Sequence, residues 1–288
     1  MSKLYINYDG FLYQEDEPIF TVKNRGFRYG DALFESIRVI NGKPCFLEDH
    51  FMRLKKGMEL LKMRPGKISF NDLKSQIEKL IVKNNITKGG RVRLSVFRSG
   101  EGLYEPETDG KSYVIEAKPI HDNHYVLNEK GLKVDVYNDL KIHKNKLSQI
   151  KTTNNIPNVL ASIYKKENEL DECILLNDSG RIAEAVSSNI FLYKNKNLYT
   201  PALDEGCMDG VMRKQIFRVA KELNINVFEG MLNGTMLLQA DEMFLTNAIN
   251  GVHWVASYRQ KRYFNKAVKE ILEEVNKLAV SVKATDMI

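Results

Sequence analysis

The chain has 288 residues, with 43% hydrophobic residues and a formal net charge of +6. That length suits one large or two modest domains with a sizeable core. The positive charge is spread out, without a basic tail or an aromatic-interleaved basic cluster, so nucleic-acid binding is not indicated. The cysteines, Cys45, Cys173 and Cys207, form no CxxC pair, and the five histidines show no HExxH spacing. Neither a zinc site nor a disulfide framework is expected. The polar N-terminus does not read as a signal peptide, and no run of 18 apolar residues occurs, so a cytoplasmic globular protein is expected.

In chain order, Leu4–Tyr8 and Phe11–Tyr13 flank Asp9-Gly10, a hairpin signal. Ala32–Ile40 and Lys43–Phe46 flank Asn41-Gly42, a second one. Leu47, Phe51, Leu54, Met58 and Leu61 keep a helical period, with Arg53 beside that face. Ser69 is a good N-cap for a helix carrying Leu73, Ile77, Leu80 and Ile81. Val92, Leu94 and Val96 alternate with Arg91, Arg93 and Ser95, a half-buried strand, and Ser112–Ile120 is its expected neighbour. Residues 1–120 thus form a first α/β domain, and 121–130 read as a linker into a second domain over 131–288.

The second domain opens on a strand, Leu132–Tyr137. A stretch rich in Lys, Asn and Thr follows at Lys141–Asn155. A helix then carries Val159, Leu160, Ile163 and Leu170 on one stripe. Cys173–Leu176 and Arg181–Val186 flank a turn at 177–180. Two short strands, Ile190–Tyr193 and Leu198–Thr200, precede a helix at Val211–Leu223 led by Gly210. Strand Val227–Phe228, a short helix near Leu237, strand Met243–Thr246 and a helix from about Asn265 finish the chain.

Three features together point to chemistry. Glu184 is a lone carboxylate among Ile182, Ala183, Ala185 and Val186, and such a group needs a partner. Gly210 opens a helix, a ready anion cradle. Lys151 precedes both; alone it reads as a solvated loop lysine. A lysine, a secluded acid and an anion cradle would together hold a phosphate-bearing pyridine aldehyde.

In order and spacing, Glu184, Asn189, Phe191, Thr200, Gly210, Val211 and Arg213 match the long signature of the class IV aminotransferases, the pyridoxal-phosphate enzymes of fold type IV. The chain resembles that family over nearly its whole length, including Arg28–Glu35 and Ala240–Met243. Val186 stands where the family usually has a smaller residue. The resemblance implies an α+β fold with a small N-terminal α/β domain and a larger C-terminal pseudo-barrel domain, the cofactor in the cleft between them, and a homodimer. It implies pyridoxal 5'-phosphate as cofactor, no metal, and small-molecule amino-acid and keto-acid substrates, with no nucleic-acid or membrane partner.

Residue by residue, the resemblance makes Lys151 the catalytic, Schiff-base lysine and Glu184 the partner of the pyridine nitrogen. Arg53 matches the phosphate arginine. Val211 and Met212 would offer N–H groups to the phosphate, and Met208 a wall to the ring. Ser188, Asn189 and Asn247 complete the implied cofactor set. Phe34, Ala248, Arg38 and Arg98 are the substrate-side candidates, and either arginine could instead be a structural ion-pair partner.

The branch is mixed. Ile156 stands where branched-chain enzymes carry a Tyr, and Asn154 matches the lyases and D-amino-acid enzymes. Met212 and Thr246-Asn247-Ala248 look like aminodeoxychorismate lyase, whereas Phe34–Arg38 resembles the Phe-Glu-Gly-Ile-Arg of branched-chain enzymes. Arg98–Tyr104 lacks both the second arginine of the lyase and the Arg-X-His of D-amino-acid transaminases. A transaminase is the leading expectation, and 4-amino-4-deoxychorismate lyase, releasing 4-aminobenzoate and pyruvate, the alternative. A non-catalytic fold relative would be expected to lack Lys151, Glu184 or Arg53, and all three are present.

Overall fold

The computed structural model describes residues 3–64 and 69–281 and divides the chain into two compact units. The first comprises Met1–His124, Ile150–Asn154 and Ala279–Ile288, and the second Tyr125–Gln149 and Asn155–Leu278. The chain therefore leaves the second unit for five residues around Lys151 and returns.

The first unit contains β1 (Tyr5–Tyr8), β2 (Phe11–Gln14), α1 (Arg25–Tyr29), β3 (Ala32–Ile40), β4 (Lys43–Pro44), α2 (Leu47–Leu60), α3 (Phe70–Lys83), β5 (Gly90–Arg98) and β6 (Lys111–Pro119). Its six strands form one sheet in the order β2-β1-β6-β5-β3-β4. The β1–β2 and β3–β4 turns carry positive φ at Asp9 and Asn41 (48° and 52°) and at the glycines after them. That is the two-residue hairpin geometry their sequence calls for. Leu33, Ile37 and Val39 of β3 pack with Leu54 and Met58 of α2 and Leu73, Ile77, Leu80 and Ile81 of α3. The period-2 and period-3.6 patterns thus meet in one core. Ser69 caps α3 by accepting the Asp72 N–H. Arg53 departs from its expected place beside the apolar face of α2: it is buried, because a carboxylate from β3 meets it there.

The second unit contains β7 (Leu132–Ile142), α4 (Ile156–Glu167), β8 (Glu172–Asn177), β9 (Ile182–Ala185), β10 (Asn189–Lys194), β11 (Asn197–Pro201), α5 (Val211–Glu222), β12 (Asn226–Gly230), α6 (Gly234–Gln239), β13 (Glu242–Asn247), β14 (Gly251–Tyr258), β15 (Lys261–Arg262) and α7 (Lys266–Ser281). The strand path runs β12-β11-β10-β13-β14-β7-β8-β9, with β15 beside β14. β9 turns straight into β10 through a bridge between Ala185 and Ser188, and the two strands touch, so the sheet curls back on itself. A core of Val134, Ile174, Ile182, Ile190, Leu192, Met243, Leu245 and Val255 fills this curl. Glu242 fixes the start of α7, its oxygens accepting the Ala267 and Val268 N–H groups at 3.0 Å each, which suits an anion at a helix N-terminus.

Candidate functional site

Lys151 is held by its backbone. Phe34 N–H donates to the Lys151 carbonyl at 2.9 Å, and Thr153 N–H to the Ala32 carbonyl at 3.1 Å, with Leu33 and Thr152 forming a bridge between them. Thr153 Oγ1 and Asn154 Nδ2 both donate to the Gly30 carbonyl, at 3.1 and 3.0 Å. Residues 151–154 thus act as a short extra edge on β3. The amine that results is aimed: Lys151 Nζ lies 4.4 Å from the centroid of the Phe34 ring.

The same ring carries a second cation. Arg93 Cζ stands 4.0 Å from the Phe34 centroid, within cation–π range. Burial lowers the pKa of its guanidinium, and Glu116 lies 3.8 Å from its Nε. Sequence reasoning passed over Arg93, because Arg-X-Arg alternation on a strand is the ordinary mark of a solvent face. The signal lies in register: Ser36 pairs with Arg93 and Phe34 with Ser95, so Phe34 is its diagonal neighbour on that face.

Arg38 and Arg98 are engaged elsewhere. Arg38 Nη2 donates to the carbonyls of Asp122 and His124, the latter at 2.9 Å. Arg98 Nε donates to Asp31 Oδ2 at 2.8 Å, and its Nη groups reach the carbonyls of Leu61 and Lys62. Asp31 also accepts from Arg25 Nε at 3.0 Å, and Arg25 Nη1 donates to the carbonyls of Glu101, Gly102 and Leu103. This cluster pins the loop after β5.

On the α2 side of β3, Glu35 is fully buried. Its Oε1 accepts Arg53 Nε–H at 2.9 Å, and its Oε2 accepts Arg53 Nη2 and meets His50 Nδ1 at 2.6 Å. Burial works to raise the Glu35 carboxyl, but Arg53 and His50 together outweigh it and hold the group at about 2. Burial pushes the His50 imidazole below its usual value against the pull of Glu35. His50 is therefore a neutral donor to a carboxylate. Both groups bind fewer protons folded than unfolded, so their contribution is present at neutral pH and lost on acidification. It fades first below pH 6.5, the ordinary histidine value, and then from 4.5 toward 2. The urea midpoint is expected to fall between pH 7 and 5, and His50→Gln to flatten that slope. An unchanged slope in the variant would contradict the assignment.

In the second unit the carboxylate of Glu184, buried on β9, accepts the Met208 N–H at 2.9 Å. Asn189 Nδ2 donates to the Met208 carbonyl at 2.8 Å. One peptide unit on each side of Met208 is thereby clamped, and this fixes the turn into α5. Gly210, the N-cap of α5, offers no side-chain cap, and no acid lies in the first turn. The helix start keeps its N–H groups and positive dipole end for a ligand. A Cβ at Gly210 would sit 1.9 Å from Asn189 Oδ1. Gly210→Ala is expected to displace the Asn189 clamp and to cost about 1–3 kcal/mol, read from thermal unfolding; an unshifted melting curve would show the clamp to be slack.

Ser188 Oγ accepts from Asn247 Nδ2 at 3.1 Å, and Asn247 Oδ1 accepts the N–H groups of Ile249 and Asn250. Asn247 thus shapes its own turn. The Ala248 carbonyl accepts the Tyr125 hydroxyl at 3.0 Å. Thr246, read in the sequence only as part of a lyase-like run and not as a site residue, is buried with its Oγ1 unpartnered. It lies directly across from Asn189 in the β10–β13 pairing. Arg213 of the signature donates to the Pro201 carbonyl at 3.1 Å and pairs with Glu229, behind the helix start. Among the described residues, no cluster of His, Cys, Asp and Glu could hold a metal, and no helix is long and apolar enough to cross a membrane.

Comparison with known proteins shows the family and the fold. The chain is 29% identical over 252 residues to an aminodeoxychorismate lyase of Bacillus subtilis, covering 85% of this chain and 83% of that one. It is 28% identical over 250 residues to a D-alanine aminotransferase of Bacillus licheniformis, with 83% of each chain covered. The crystal structure of a branched-chain aminotransferase from Thermoproteus uzoniensis superposes with a TM-score of 0.90 over 98% of this chain and 97% of that one. Identity to it is 21%, so that likeness speaks for the fold. The family model for amino-transferase class IV matches residues 32–258, which spans both units and includes Lys151 and Glu184. The protein is an enzyme of the class IV aminotransferase family.

Proposed function

We propose that the protein is a pyridoxal-phosphate-dependent aminotransferase that moves an amino group between an amino acid and a 2-keto acid. The observation that carries this reading is the Lys151 amine, held over the Phe34 ring by a backbone locked to β3. A solvated loop lysine has no need of such fixation; a nucleophilic amine that must meet one atom does.

The residues present fit the cofactor. The uncapped start of α5 and the unpartnered hydroxyl of Thr246, across from Asn189, support a phosphate ester there. In this reading Arg53 and the N–H groups of Val211 and Met212 bind the phosphate, and Glu184 pairs with the ring nitrogen. Met208, Ser188, Asn189 and Asn247 shape the cup, and Phe34 and Ala248 face the substrate. When bound, pyridoxal phosphate supplies an aldehyde for the amino group and a pyridinium ring that draws electrons from the substrate's α-carbon.

Lys151 would hold the cofactor covalently, and its amine, once released, would take and return the proton at the substrate's α-carbon. Glu184 would hold a proton at the ring nitrogen. Arg93 would take the substrate's carboxylate, because its guanidinium and the Lys151 amine both stand against the Phe34 ring, while Arg38 and Arg98 donate to backbone carbonyls and to Asp31. We take the working unit to be a homodimer. Ile156, Val159, Leu160 and Ile163 form an apolar stripe on α4 that is 41–67% exposed, which suits a second copy. Ile163→Lys is expected to sediment as a monomer where the parent protein sediments as a dimer; equal sedimentation would remove this stripe from the interface.

Incubation with a panel of amino acids and 2-oxoglutarate tests the function. The reading predicts glutamate formed at the expense of particular donors. Release of 4-aminobenzoate and pyruvate from 4-amino-4-deoxychorismate, with no amino transfer, would replace it with the lyase.

A further inference from the structure

Glu35 stands in a row of apolar residues. Its same-face neighbours on β3, Leu33, Ile37 and Val39, all belong to the core under α2 and α3. A carboxylate in that layer is costly unless paired, and a well-packed apolar replacement for a buried ion pair is often neutral or stabilising. Folding alone therefore gives no reason for three polar side chains here. What the cluster supplies is geometry. His50 and Arg53 lie three residues apart on α2, on one helical face. Glu35 receives Nε and Nη2 of Arg53 as a fork, which fixes the guanidinium plane. His50 Nδ1 sits on Oε2 and keeps the carboxylate from turning, while His50 Nε2 is buried and unpartnered. The fork is thus braced from behind.

We propose that Glu35, braced by His50, is a positioning residue that aims the Arg53 guanidinium at the cofactor's phosphate and so sets the protein's preference for phosphorylated over unphosphorylated pyridine aldehydes. This rests on the reading of Arg53 as a phosphate ligand. A merely structural role for Glu35 would weaken both aldehydes alike; a positioning role weakens only the phosphorylated one.

The test is the dissociation constant of pyridoxal phosphate and of pyridoxal, measured by fluorescence on the full chain freed of cofactor, with the ³¹P resonance of the bound phosphate as a second readout. Arg53→Ala is expected to weaken pyridoxal phosphate by about 100-fold and pyridoxal by less than about threefold, the worth of a charge-assisted contact. Glu35→Gln is expected to weaken pyridoxal phosphate by about tenfold or more, to leave pyridoxal nearly unchanged, and to shift the ³¹P resonance. His50→Leu, which keeps the ion pair, is expected to give a smaller loss of the same selectivity, and it carries the test if Glu35→Gln does not fold. Equal losses for the two aldehydes in Glu35→Gln or His50→Leu would overturn the proposal, as would an unchanged phosphate preference. An Arg53→Ala protein with unchanged pyridoxal phosphate affinity would instead remove the phosphate role of Arg53 itself.

Discussion

Lys151→Ala is expected to lower turnover by at least about 10³-fold, since in the proposed function this one side chain is both covalent attachment point and proton carrier. Borohydride treatment of the parent protein with pyridoxal phosphate should add one reduced cofactor to the peptide containing Lys151, and the variant should show no label. Backbone anchoring makes this a clean experiment. The segment is held by the Lys151 carbonyl, the Thr153 N–H and the Thr153 and Asn154 side chains, none of which the substitution removes. The fold of the variant should therefore persist, and its melting temperature should stay near the parent's. A label that remains, on any other lysine, would show that the wrong amine has been assigned.

Glu184→Gln is expected to retain cofactor but to lose turnover by about 10²–10⁴-fold, the range for a proton-holding group. Glu184 has one observed contact and one proposed role, and the substitution separates them. One oxygen accepts the Met208 N–H, and a glutamine oxygen can keep that bond, so the turn into α5 survives. The charge proposed for the ring nitrogen would not survive, and a charged partner there would be what keeps the ring protonated and electron-withdrawing. Cofactor affinity within a few-fold of the parent, with collapsed turnover, is the predicted pair of results. Turnover near the parent's would confine Glu184 to its structural bond with Met208.

Much of the fold was legible because local patterns and tertiary packing agree. Asp9-Gly10 and Asn41-Gly42 specify hairpins by their backbone preferences, and Ser69 announces α3. The helical stripe of α2 names its core residues. What stayed hidden depends on partners distant in sequence. Arg53 looks like a flank residue of α2 until Glu35 is seen opposite. Arg93 looks solvent-facing until the β3–β5 register brings it to Phe34. The period of α4 shows in the sequence, but not that its stripe is exposed. Strands β14 and β15 and helix α1 are too irregular in pattern to read. Residues 141–155 gave no period because they include the end of β7, a 3₁₀ turn at Lys146–Gln149 and a single-bridge excursion to β3.

The site divides in the same way. Glu184, Asn189 and Gly210 stand out through the match to the family signature, and the structure gives each a mechanical partner in Met208 or in one another. Arg38 and Arg98 have the right charge for a substrate carboxylate. Their guanidinium groups are drawn to backbone carbonyls and to Asp31, contacts that charge pattern alone does not reveal.

The most direct measurement is a half-reaction: the protein loaded with pyridoxal phosphate is titrated with single amino acids in the absence of any keto acid, and the cofactor is identified by absorbance and mass. The account predicts that at least one amino acid converts the bound cofactor stoichiometrically to its amine form and releases the matching 2-keto acid. A protein that binds no pyridoxal phosphate, or one whose bound cofactor no amino acid converts, would contradict it.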